Sequence, residues 1–239
     1  MKDENGLDIL IPVFNEDEII VKTIKNILST VKCNFRILIC YDYDEDPTIK
    51  IINENFNSNK IFFIKNFSRG FNNALKSGFN NSRSDAVLIY MADDHENHIM
   101  IDLCYKKFQE GYHVVCPSRF IKGGKMIGNP LLKGLLTRMA SFFLFNFTTF
   151  PIKDSTNSFR LFSKKLIDEI KIESKKGFTL SLEVTAKAHR LGYKIIEIPT
   201  TWKERDLGKS RFKLISFILP YMKWFFYIIK TSIFYRNAK

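Results

Sequence analysis

The chain has 239 residues, 45% of them hydrophobic and 26% charged, which excludes a disordered protein and suits one sizeable domain with or without a terminal appendage. Its formal net charge of +12 asks for an anionic partner: nucleic acid, an anionic membrane or a phosphorylated substrate. Nucleic acid is set aside, because the chain shows no zinc-finger spacing, no aromatic-glycine RNA-binding motif and no long Lys/Arg block.

In chain order, "LDILIPVF" reads as a strand and residues 16–28 as a helix with Ile19, Ile20, Thr23, Ile24 and Ile27 on one face. "FRILICY" is a second strand, followed by a helix over residues 47–55. "KIFFIKN" is a third strand, followed by a helix over 70–82, and "DAVLIYM" is a fourth. Strands alternating with helices at this spacing predict an α/β fold with a mostly parallel sheet flanked by helices. Ligands of such sheets sit beyond the carboxyl ends of the strands. The unusual polar clusters of the chain fall there: "NED", "DYDED", "NFSRG" and "ADDHEN", one after each strand.

Past residue 100 the pattern predicts a helix over 101–110, a strand in "YHVVCPSRF" and a loop in "IKGGKMIGNP", whose paired glycines lack phosphate-loop spacing. A very apolar helix follows over 131–150, and "KIIEIPTTWKER" reads as one late strand. No internal repeat or low-complexity linker interrupts this. Cys33, Cys40, Cys104 and Cys116 lack metal-ligand spacing and read as buried free thiols of a reducing compartment. "MKDENGLDILIPVFNE" lacks the basic and apolar regions of a secretory signal, so a location on the cytoplasmic side is expected. His98, His113 and His189 are scattered and read as packing residues.

Residues 212–235 are apolar but carry Lys213, Lys223 and Lys230, too many charges for a span of about 20 apolar residues. On a helical wheel of about 100° per residue, Lys213, Ser216, Pro220, Lys223, Tyr227 and Lys230 form one strip. This predicts an interfacial membrane helix with Trp224 at headgroup level. The domain reading is therefore 1–211 for the catalytic unit and 212–239 for an amphipathic, membrane-facing appendage; the alternative is a helix packed on the domain.

A carboxylate at a strand end beside a second ligand can hold Mg²⁺ or Mn²⁺ against a diphosphate. Asp93, Asp94, His95 and Glu96 offer such ligands, with Asp42, Asp44 and Asp46 at the neighbouring strand end. Arg69, Arg119, Lys133, Arg160, Arg205, Lys209 and Arg211 supply cations for a phosphate-rich substrate.

The motifs "IPVFNE", "YDYDEDPT", "RGFNNALKSG", "VLIYMAD", "PSRFIKGG", "DSTNSFRLF" and "EIPTTWKERDLGKSR" resemble, in order and spacing, those of family 2 glycosyltransferases of the GT-A fold. The chain looks most like the branch that loads mannose or glucose onto dolichol or polyprenyl phosphate. The resemblance covers residues 7–211. By position it implies that Pro12, Phe14, Asn15 and Glu16 line a nucleotide pocket and that Asp42 contacts the base; Arg69, one of the cations named above, is expected to bind substrate. Asp93 is the second acid of the family's D-x-D, whose first position is Met91 here, and His95 takes the place of a metal-binding glutamine. Arg119 is expected to face substrate phosphates, Lys133 and Thr137 the lipid phosphate, and Arg205 and Lys209 to close over the donor. Tyr41 stands where the family has the first acid of a D-D pair.

The same resemblance implies a nucleotide-sugar donor, a divalent metal (Mg²⁺ or Mn²⁺), a polyprenyl phosphate acceptor, a membrane surface as partner and inversion at the anomeric carbon. A lipid phosphate is already an anion and needs no general base; a glycan hydroxyl would need one, with Asp154 and Glu183 as candidates. A glycan-hydroxyl acceptor, and a silent relative that only binds nucleotide sugar, stay open at this point.

Overall fold

The computed structural model describes residues 6–16, 18–94, 96–128, 131–175, 178–203 and 214–234, with no side-chain description for 131–133, 214–218 and 234. Four parallel strands form one half of the main sheet: β1 (Leu7–Pro12), β2 (Phe35–Tyr41), β3 (Ile61–Lys65) and β4 (Ala86–Ile89). Helices α1 (Ile19–Thr30), α2 (Pro47–Asn55) and α3 (Phe71–Asn81) connect them. After α4 (Ile101–Gln109) come β5 (Val114–Ser118), β6 (Lys125–Ile127), α5 (Leu131–Phe147), β7 (Arg160–Ser163) and α6 (Lys164–Glu169). The chain then forms α7 (Leu180–Arg190), β8 (Ile195–Pro199), β9 (Thr201–Lys203) and α8 (Leu214–Phe234).

The seven-stranded sheet runs β3-β2-β1-β4-β7-β5-β8. Only β7 is antiparallel to its neighbours. Alternation along β1 sends Leu7, Ile9 and Ile11 into the core under α1 and α4, and Leu10 into the core under α3 and α7. The strand order reverses between β1 and β4, which places the crevice beyond Pro12 and Ile89. At the opposite sheet edge the buried carboxylate of Asp8 accepts from Arg36, Ser82, Arg83 and Ser84.

Three expectations change. The segment read as a loop at 121–130 contains β6, which pairs in parallel with β9, so the late strand is two strands. Its glycines form a packed turn: Gly124 N–H donates to Ile121 O, and a Cβ at Gly124 would lie 2.5 Å from Ser118 O. One side of the C-terminal helix packs on the domain, which changes the place expected for Trp224. Trp224 is 1% exposed, its indole donates to Ser174 Oγ (3.0 Å), and Tyr221 donates to Phe178 O (3.1 Å). Trp224 is thus a core residue and not a headgroup anchor, because burying the indole satisfies both its large apolar area and its single donor. All four cysteines are free, three of them buried. Among the described residues no helix is long and apolar enough to cross a membrane.

Candidate active site

The loop after β1 is tied to the start of α2. Asp46 caps α2 by accepting from Thr48 N (2.9 Å), and the same carboxylate accepts from Asn15 N at 3.1 and 3.2 Å. Glu16 N donates to Thr48 Oγ1 (2.8 Å). Asn15 is held at φ 51°, a left-handed conformation that asparagine tolerates better than most residues. Tyr43 hydrogen-bonds Asn15 Oδ1 and meets Phe14 edge-on at 5.9 Å between centroids. Phe14, 47% exposed, and Tyr43 therefore make an aromatic wall at the mouth of the crevice. Tyr43 lies inside the motif "YDYDEDPT", but the sequence reading gives it no role of its own.

Asp42 has an assigned task within the protein. Its carboxylate accepts from Asn66 Nδ2 (2.6 Å) and from Gly70 N (2.8 Å), fixing the turn in which Arg69 takes φ 41° and Gly70 φ 96°. Only glycine adopts the second value without strain. Arg69 is exposed on this turn. Asp44 pairs with Lys65.

The acidic stretch after β4 divides in function. Asp94 closes a short 3-10 turn (Asn97–Met100) by accepting from Asn97 N (2.9 Å), Asn97 Nδ2 (2.8 Å) and Glu96 N (3.2 Å). Burial nevertheless pushes its carboxyl up, helped by the charge of Asp93. The Tyr90 hydroxyl beneath them is buried with no hydrogen-bond partner among the described residues, and its phenol is also pushed up, by burial and by both acids. Asp94 is therefore a turn-forming acid, its oxygens engaged by Glu96 and Asn97. Thr23 Oγ1 donates to Ala92 O (2.8 Å) and Thr200 Oγ1 to Asn97 Oδ1 (2.6 Å), bracing the loop on both sides. His95 lies outside the described residues.

A patch where two carboxylates crowd one edge suits a cation. Among the described residues no three acid, histidine or cysteine side chains group closely enough to hold a metal alone. Asp93 with diphosphate oxygens fits Mg²⁺ or Mn²⁺, which bind in this way through one or two carboxylates.

Across the crevice, Arg119 at the end of β5 is locked to Asp154. Nε and Nη2 each reach a carboxylate oxygen at 2.7 Å, Nη2 also donates to Thr156 Oγ1 (2.8 Å), and Arg119 N donates to Asp154 at 2.9 Å. Burial pushes Asp154 up, but the Arg119 guanidinium and its hydrogen bonds outweigh this and hold the carboxyl below its usual range. Glu197 accepts from Lys153 N and Asp154 N, and Asn157 Nδ2 donates to Pro117 O, completing the knot. Arg160 was expected among the phosphate-binding cations. It is fully buried, donating to Asp154 O, Ser181 O and Thr185 Oγ1, because β7 lies inside the sheet.

Glu183 is also fully buried. It accepts from Glu173 N (2.6 Å), Ser174 N (2.7 Å) and Lys187 Nζ (2.7 Å). This secures the segment that receives Trp224. Lys133 lies in the first turn of α5, its side chain outside the described residues, and Thr137 is half-buried one turn on. Arg205, Lys209 and Arg211 fall outside the described residues.

The profile of glycosyl transferase family 2 matches residues 8–171. The chain belongs to glycosyl transferase family 2. It is 26% identical over 212 residues to the uncharacterized glycosyltransferase YkcC of Bacillus subtilis, covering 86% of this chain and 63% of that protein. It is 23% identical over 230 residues to dolichol-phosphate mannosyltransferase of Pyrococcus furiosus, covering 91% and 64%. The chain thus spans less than two-thirds of the length of these relatives. Glucosyl-3-phosphoglycerate synthase from Mycobacterium tuberculosis, solved with Mn²⁺, UDP and glucosyl-3-phosphoglycerate, shares the fold at a TM-score of 0.69 and 12% identity, over 97% of this chain and 81% of that one. The GT-A fold expected from the motifs is thereby borne out.

Proposed function

We propose that this glycosyltransferase moves a hexose, with inversion, from a nucleotide-sugar donor to a polyprenyl phosphate at the inner face of a membrane. The observation that carries this reading is the condition of the two acids that could act as a base. A hydroxyl acceptor needs a base within hydrogen-bond reach of its proton. Glu183 is sealed from solvent with both oxygens engaged, and Asp154 is bound on both oxygens by Arg119. An acceptor that arrives as a phosphate anion needs neither. The similarity to a dolichol-phosphate mannosyltransferase supports the same choice.

In this reading Phe14, Asn15, Glu16 and Pro12 hold the nucleotide, with Asp42 keeping the Arg69 turn in place beside it. Asp93, with His95, would hold the metal, which when bound neutralises charge on the departing diphosphate. The Arg119–Asp154 pair keeps a guanidinium at the acceptor side in one orientation. Lys133 and Thr137 serve the lipid phosphate, and Arg205 and Lys209 the donor. The membrane face is the outer side of α5 and α8: Leu135, Met139, Phe142 and Phe147 on one helix, and Leu219, Lys223, Phe226, Lys230 and Ile233 on the other, all exposed. Apolar side chains set among lysines suit an interface with anionic lipid.

The test is release of nucleoside diphosphate across a panel of nucleotide sugars with Mn²⁺ or Mg²⁺ and a short polyprenyl phosphate. Release should depend on metal and lipid phosphate, and Asp93→Ala should lower it by about 100-fold or more without loss of fold. Full turnover in Asp93→Ala with metal present would remove the metal assignment.

A further inference from the structure

The loop after β5 and the outer side of α5 flank an open cavity of about 540 Å³, lined among others by Arg119, Phe120, Arg138, Phe142, Phe145 and Lys153. This is the size of a small-molecule site. Its lining includes three cations and three phenyl rings but no acid. Arg119 is neutralised by Asp154, whereas the charged ends of the Arg138 and Lys153 side chains have no carboxylate partner among the described residues. Both are instead steadied on aromatic faces. The Arg138 guanidinium lies 5.5 Å from the Phe120 centroid and Lys153 Nζ lies 5.0 Å from that of Phe145. Ring contacts order these cations over the cavity and leave their charge available to an anion. The apolar wall continues outward through Phe142, 63% exposed, towards Met139 one helical turn away, which is also exposed.

We infer that this cavity receives the acceptor, with Arg138 and Lys153 as ligands of its phosphate in addition to Lys133 and Thr137, and with Phe120, Phe142 and Phe145 as the seat of the first part of its hydrocarbon chain. The inference rests on the reading that the acceptor is a lipid phosphate, and it names two acceptor-recognising residues that lie outside the family motifs. An inorganic anion would use the cations alone; the rings beside them favour a phosphate that carries an apolar chain.

Binding of farnesyl phosphate to the full chain, followed by calorimetry without donor, tests this directly. Arg138→Ala/Lys153→Ala should weaken binding by at least about tenfold, while Arg138→Lys/Lys153→Arg should keep most of it. Farnesol and inorganic phosphate should each bind the wild type far more weakly than farnesyl phosphate. Equal affinity of wild type and the double alanine variant would overturn the inference, and so would farnesol binding as tightly as farnesyl phosphate. Both side chains are exposed, so the variants should keep the wild-type circular dichroism spectrum. If the double variant does not fold, Arg138→Gln and Lys153→Gln taken singly are read in the same way. Arg138- and Lys153-dependent binding without any sugar transfer would uphold the cavity and sink the transfer reading. Transfer with an unchanged KM for lipid phosphate in the double variant would sink the cavity alone.

Discussion

The two flanks of the crevice are built by different means. On the β1–β4 flank, the acids organise exposed loops: Asp94 closes on Asn97 three residues away, Asp46 caps its own helix, and Asp42 holds the Arg69–Gly70 turn. On the β5–β8 flank, buried acids meet cations or backbone brought from elsewhere. Asp154 binds Arg119 across 35 residues and Glu197 grips the 153–154 turn. One flank is a set of tied loops suited to closing on a donor. The other is a rigid ionic frame whose charges are already matched, so its acids are unsuited to proton transfer.

This contrast predicts unequal sensitivity. The largest effect belongs to the frame: Glu183→Ala strands two backbone donors and leaves Lys187 only Glu173 and Lys171 O among the described residues, and Asp154→Ala strands Arg119 beside the buried Arg160. Each should cost about 3–5 kcal/mol in urea unfolding. On the loop flank, Asp42→Ala loses two hydrogen bonds to a carboxylate at a partly exposed site, a cost of about 1–3 kcal/mol, with a raised KM for the donor as its sharper signature. Equal losses on the two flanks would break the distinction.

Acid should weaken the buried, paired carboxylates of the frame and of β1 alike. Asp154 and Asp8 are held below their ordinary value of 3.8, burial pushing each up but paired guanidinium and hydrogen bonds prevailing. A carboxyl with a lowered folded pKa contributes stability that is complete above its unfolded pKa and is lost as pH falls through the folded one. The urea midpoint should therefore hold from neutrality to about pH 5 and fall below about pH 4, less steeply in Asp154→Asn. Asp94, raised in the fold, works in the opposite direction as it protonates and softens the decline. The smallest effect is expected at Met91→Asp, which restores the family's first D-x-D acid and should leave turnover unchanged or raised; a collapse would mean a site rebuilt around methionine.

The legibility of the molecule follows the same division. Helix α2 is readable to the residue because Asp46 and Pro47 are local start signals. The parallel half of the sheet is readable because each strand is a compact apolar run. Strand β7 carries no such signal: four residues find their place only by pairing with 86–89 and 114–115. For α8 the wheel exposes a cationic strip but does not say which apolar stripe the domain takes, and Trp224 goes inward because Ser174 meets its indole. In the site, Asp93, Asp42 and Arg119 are marked by motifs. Their tasks are less legible: that Arg119 is locked to Asp154, or that Arg160 is core, depends on what folding brings opposite them.

The most direct test of the central claim, that the acceptor arrives as an anion and no protein base is needed, is a side-by-side assay of farnesyl phosphate and farnesol as acceptors with one competent donor and metal. Transfer to the phosphate alone is the predicted result. Comparable kcat with the alcohol would contradict it, since a hydroxyl could be glycosylated at that rate only with a base within reach.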